Sequence, residues 1–107
     1  MCEVDTVFRA LANKQRRSAI CCLCEHRKVT LADLAEYVAE ADGNDVQDIS
    51  AEQTTEVYFS LYHTHVPNLE EAGLARYDQE RDLVVSTEQL KPLVAQACDE
   101  MTGLLRV

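Results

Sequence analysis

Between Lys28 and Arg76 the chain has no lysine or arginine. It also has no apolar run approaching the ~18 to 20 residues that a membrane-spanning helix needs. Its start, Met1-Cys2-Glu3-Val4-Asp5, is acidic and lacks the basic residues and apolar core of a secretion signal. There is no internal repeat and no low-complexity segment. A single cytoplasmic domain over residues 1–107, with no membrane contact, is the expectation. Disulfide scaffolding is not expected either. The cysteines number five, an odd count, and Cys21, Cys22 and Cys24 crowd into four positions, which suits a reducing compartment.

What is present is charge of unequal distribution. Residues 1–28 hold six bases (Arg9, Lys14, Arg16, Arg17, Arg27, Lys28) against three acids, whereas the remainder is strongly acidic and the whole chain carries −9. Such a surface repels nucleic acid at low salt and suits a protein kept soluble in very high salt.

Hydrophobic spacing predicts a mainly helical chain with one small β-hairpin. Val4, Val7, Phe8 and Leu11 form the face of a first helix. Asn13 stops it or caps a second, from Lys14 to Glu25, with Ala19, Ile20, Leu23 and Cys24 inward. Arg27-Lys28-Val29 is a short extended piece. Thr30, with Asp33 three residues on, caps a third helix reaching about Ala41 through Leu31, Leu34, Ala35 and Val38. A polar loop over 42–50 follows, with Ser50 as the next cap. A long fourth helix then runs to about Ala72, with Tyr58, Leu61, Tyr62, His65, Val66 and Leu69 inward. Pro67 should bend it and Gly73 should end it. Strands at 75–78 and 83–86 flank a charged turn, and a last helix begins near Thr87 and reaches about 105. Its residues Leu90, Val94, Ala97, Met101 and Leu104 follow a heptad spacing, which predicts pairing with a second copy of the chain.

Chemistry-bearing residues are few. Cys21 and Cys24 lie one helical turn apart and would reach one ion, with Cys22 pointing elsewhere, but no second Cys pair completes a ligand set. Free cysteines filling small core sites are the plainer reading. His63 and His65, two apart on a helix, face opposite sides, His65 toward the core and His63 outside. Ser60 and His63 have no orienting acid and no glycine-rich elbow, and no phosphate loop is present. No catalytic activity, metal or cofactor is therefore expected.

The order helix, helix, short strand, helix, helix, hairpin, helix is that of a winged helix-turn-helix. Two segments resemble ArsR-like regulators. One is Ala10-Leu11-Ala12-Asn13-Lys14-Gln15-Arg16-Arg17. The other runs from Thr64-His65-Val66-Pro67-Asn68-Leu69 to Gly73-Leu74-Ala75, where a His, a Leu and a Gly-Leu pair lead into the wing. Tyr58 to Pro67, continuing to Tyr77-Asp78, is similar to uncharacterised ArsR-like domains of halophilic archaea. The resemblance covers residues 5 to about 90 and implies a homodimeric, double-stranded-DNA-binding transcription regulator, with the last helix for dimerisation. Base edges would then be met by Gln53, Thr54, Ser60, His63, Thr64 and Asn68. Phosphates would be met by Lys14, Arg16 and Arg17, unless these only balance neighbouring acids, and by Arg76 and Arg81 in the hairpin. The related domains tend to carry Lys or Arg around Thr54, Thr55, Glu56 and Asn68, where this chain is neutral or acidic. That departure leaves a second expectation beside the first, a winged-helix module that binds protein instead.

Overall fold

The computed structural model describes residues 3–42 and 51–105, with side chains over 5–41 and 51–99. Among the described residues, six α-helices and three strands follow in the order α1 (Glu3–Leu11), α2 (Lys14–Glu25), β1 (Lys28–Thr30), α3 (Leu31–Asp42), α4 (Ala51–Ser60), a π-helical turn (Leu61–His65), α5 (Val66–Glu71), β2 (Ala75–Asp78), β3 (Leu83–Ser86) and α6 (Leu90–Leu105). The loop expected over 42–50 and its Ser50 cap lie outside the described residues, except that Asp42 is the last residue of α3.

Local signals account for most boundaries. The Asn13 side chain accepts hydrogen bonds from the backbone N–H of Gln15 (2.8 Å) and Arg16 (3.2 Å), so it caps α2. Thr30 Oγ1 accepts from the N–H of Asp33 at 3.1 Å, and Asp33 adds negative charge to the first turn of α3. α5 ends at Glu71, where Gly73 takes φ +77°. There the N–H of Leu74 bonds the Leu69 carbonyl (2.9 Å) and that of Gly73 bonds the Glu70 carbonyl (3.0 Å), a two-bond helix stop.

The strands form an antiparallel sheet in the order β1-β3-β2. Lys28, Val85 and Arg76 share one cross-strand row, and Val29, Val84 and Tyr77 share the next. Adjacent rows face opposite sides. Val84 is fully buried against the helices, while Lys28 and Arg76 are exposed on the far side. The core joins Ile20 and Leu23 of α2, Leu31, Leu34 and Val38 of α3, Leu61 and Leu69, Leu74, Val84 and Leu90. Each such side chain contributes about 1.5 to 3 kcal/mol by leaving water. α3 packs on α2 and α4, and α1 packs on α2 and α6.

Four sequence expectations change. The fourth helix is not one regular helix, because the π turn separates α4 from α5. Tyr62 is exposed and Val57 is buried, while Tyr58 packs half-buried against the core as expected. Cys22 is buried and Cys24 only half-buried, the reverse of the expected order. The last helix starts at Leu90, three residues later than expected. Thr87 is used instead as a brace, its hydroxyl donating to the Gly73 carbonyl at 2.6 Å.

Gly73 generates a test. A Cβ there would sit 3.3 Å from the Gln89 side-chain oxygen, which is exposed and able to shift, so the cost of Gly73→Ala is the left-handed backbone itself. Urea unfolding should show a loss of about 1 to 2 kcal/mol with an unchanged m-value. An unaffected midpoint would mean that the stop is not under this constraint.

Candidate nucleic-acid interface

The outward side of the π turn meets the hairpin through Tyr62 and Tyr77, and a buried histidine sets its geometry. His65 is 5% exposed and ends the π turn. Its Nδ1 lies 3.2 Å from Arg16 NH1 and its Nε2 3.0 Å from Gln15 Oε1. A guanidinium only donates, so Nδ1 is the acceptor and the ring carries its proton on Nε2, donated to Gln15. Burial, and next the positive charge of Arg16, push the His65 pKa below its usual 6.5.

Arg16 reaches further. Its Nε donates to the Ala10 carbonyl at 2.9 Å and its NH2 to the Arg9 carbonyl at 3.0 Å, while Arg17 NH1 donates to the Leu11 carbonyl at 2.8 Å. The last carbonyls of a helix lack intrahelical partners and attract cations. The two arginines therefore cap α1. Arg16, expected to meet phosphate, thus has three of its five N–H groups engaged within the molecule. Arg17 remains exposed but also serves as a cap.

The π turn follows from Pro67. Proline has no N–H and its ring collides with the carbonyl four residues earlier. In the turn before it, the Val66 N–H bonds back five residues to the Leu61 carbonyl, which widens the helix. The extra residue keeps Leu61, His65, Val66 and Leu69 buried and leaves Tyr62, His63 and Thr64 exposed. Of the other residues expected to meet base edges, Gln53 is exposed, and Thr54, Ser60 and Asn68 are half-buried.

A row of rings crosses this surface, and it includes Tyr62, which the helical spacing alone would turn inward. Tyr58 meets Phe59 edge-on at 5.8 Å, Phe59 stacks on His63 at 6.2 Å and 15°, His63 meets Tyr62 at 5.0 Å, and Tyr62 meets Tyr77 of β2 at 6.0 Å. Tyr77 in turn donates its hydroxyl to the Asp82 carboxylate, which raises the phenol pKa far above its usual value. Asp82, at φ +54°, accepts from the Leu31 N–H through its carbonyl at 3.1 Å, tying the hairpin to the start of α3. Asp78 Oδ1 accepts from the N–H of Glu80 (3.2 Å) and of Arg81 (3.3 Å), shaping the tip. Arg76 and Arg81 are both exposed, Arg81 lying 3.9 Å from Asp78.

This arrangement lies within a known family. The family described as Domain of unknown function (DUF7344) matches residues 8–85. The chain belongs to the DUF7344 family. The DUF7344 span runs from within α1 into β3 and leaves α6 outside it. No curated protein and no solved structure matches the chain.

Elsewhere the DUF7344 chain offers less. Burial raises the Cys22 and Cys24 thiols above their usual pKa, so neither is an activated thiolate. Among the described residues no three His, Cys, Asp or Glu side chains converge as metal ligands, and Cys2 lies outside them. An open cleft of about 780 Å³ beside β2 sets Arg27 and Arg76 against Glu70 and Glu88, a mixed lining with no net preference for an anion. No described helix is long and apolar enough to cross a membrane. On α6, Leu90 and Ala97 are 1% and 0% exposed within one protomer and Val94 is half-buried. Leu90 and Ala97 thus already belong to the chain's own core and add nothing to a dimer seam. The side chains of Met101 and Leu104 lie outside the described residues.

The histidine junction predicts a pH dependence. With its folded pKa depressed, the unfolded chain binds the proton more readily. Stability from this site is complete above about pH 6.5 and is lost as pH falls through and below that value. Thermal unfolding between about pH 8 and pH 5.5, where most carboxylates stay ionised, should show a falling midpoint. His65→Gln should start lower and vary less. Parallel curves for the two proteins would exclude His65 as the source.

Proposed function

We propose that this chain is a DNA-binding regulator of the winged helix-turn-helix type that acts as a homodimer. In this reading α4 and the π turn enter the major groove and the β2–β3 hairpin lies along the neighbouring backbone. One observation carries it. α3 packs on α4, the sheet of order β1-β3-β2 packs on α2, α3 and α5, and the Tyr62–Tyr77 contact joins the π turn to the hairpin. A helix backed by a second helix and flanked by a hairpin is the arrangement that presents side chains to a groove while holding phosphates beside it.

The roles divide by chemistry. Gln53, His63 and Thr64 are exposed polar groups suited to base edges, with Ser60 and Asn68 at the margins. Arg76 and Arg81 suit phosphates, and Lys14 sits at the start of α2 for the same purpose. Arg16 and Arg17 act through structure, by fixing α1 and the π turn. Pairing of protomers is assigned to α6, in the stretch containing Met101 and Leu104. The reading needs no cofactor and no catalytic step, and places the protein in the cytoplasm.

Genomic fragments passed over the immobilised, folded protein at graded salt test this. A limited set of fragments should be retained, and His63→Ala should reduce discrimination among them more than it reduces total retention. Arg81→Ala should weaken all fragments alike. If a folded dimer retains no fragment at any salt, DNA binding is wrong and the winged-helix module that recognises protein replaces it.

A further inference from the structure

We infer that Phe59 is the specificity-determining residue of this surface and that it reads the 5-methyl group of thymine in the major groove, an inference that rests on the DNA-binding reading above.

Phe59 is two residues from each of the buried Val57 and Leu61. At about 100° per residue it points some 200° away from Val57, directly off the core. It is 53% exposed, the most exposed large hydrophobic side chain among the described residues. It is also held in place. Its ring lies nearly parallel to His63 and edge-on to Tyr58, and His63 is itself braced by Tyr62. An aromatic side chain with its orientation already set loses little freedom on binding, so the exposed face is prepared for a contact.

The neighbours decide what that contact is. Glu56 and Glu52 lie one and two turns before Phe59 on the same side, both exposed. Thr55, also one turn before, donates its hydroxyl to the Ala51 carbonyl at 2.8 Å. No lysine or arginine occurs anywhere in α4, the π turn or α5. This stripe cannot hold a phosphate, so it must draw what affinity it has from base edges. In the major groove those edges offer hydrogen-bonding atoms and one apolar group, the thymine methyl, and only the latter matches a phenyl ring. The carboxylates accept hydrogen bonds and do not donate them. They are compatible with the amino groups of cytosine and adenine and incompatible with the acceptor edge of guanine. The stripe is therefore selective by what it repels as well as by what it covers.

The test uses the duplex recovered by fragment capture, resynthesised with deoxyuridine in place of thymine. That change removes the methyl group and keeps every hydrogen-bonding atom. For the wild-type protein, each methyl in contact with Phe59 should be worth about fourfold in affinity, the equivalent of about 0.8 kcal/mol per buried carbon. A dimer on two half-sites should then lose about fifteenfold. Phe59→Ala removes an exposed ring and should leave the thermal midpoint nearly unchanged. It should bind the thymine duplex as weakly as the wild type binds the deoxyuridine duplex, and should not distinguish the two. Equal affinity of the wild type for both duplexes would overturn the inference and leave DNA binding standing. Absence of any bound duplex would overturn both. If Phe59→Ala keeps full DNA affinity and loses instead a lysine- or arginine-rich protein, the ring serves protein recognition and the thymine assignment is wrong.

Discussion

His65 sits between Gln15 and Arg16, and the placement of the outer helix depends on that contact. The same guanidinium that donates to the imidazole also closes the end of α1, so three separate segments are joined at one point. A neutral ring with one donor and one acceptor can satisfy both partners, whereas a protonated ring has only donors and faces a positive charge. Burial and chemistry agree here, because the environment that keeps His65 neutral is the one that needs it neutral. The π turn carries the consequence outward. With His65 fixed inward and Pro67 forcing the widened turn, Tyr62, His63 and Thr64 have only the solvent side left.

Charge is distributed in the same spirit. Two of the six bases in residues 1–28 are used as helix caps, and the exposed helix that follows has none. Proteins that grip nucleic acid through phosphates gain affinity by releasing counterions, and that gain declines as salt rises. A surface with acids, short polar groups and rings gains little in that way and loses little in salt. At 1 M salt the Debye length is about 3 Å, so carboxylates such as Glu52 and Glu56 are screened from all but direct neighbours. The absence of cations on this helix follows the same physical account.

Much of the architecture was legible in the sequence because it rests on residues with short-range effects. Asn13, Thr30 with Asp33, and Gly73 each act within a few positions, and the strands at 75–78 and 83–86 are framed by their own turn. The π turn was not legible. Pro67 signals a disturbance, but a bend and an inserted residue leave the same mark on a 3.6-residue periodicity, and the choice between them put Tyr62 on the wrong side. Arg16 looked like a surface cation because a sequence does not show which carbonyls a helix end leaves nearby. Leu90 and Ala97 fit a heptad because a helix packed on its own domain and one packed on a partner share the same spacing. One signal in the sequence does mark Phe59. An aromatic residue two positions from apolar residues on either side of it, within a helix, must face away from them.

The central claim is that this surface engages duplex DNA with few phosphate contacts, and the salt dependence of binding measures that directly. With Arg76 and Arg81 as the hairpin contacts, a plot of log affinity against log salt should have a slope of about −2 per protomer, or about −3 with Lys14 included. A slope of about −6 or steeper per protomer would mean a phosphate-clamping surface that these residues do not supply, and would contradict the account.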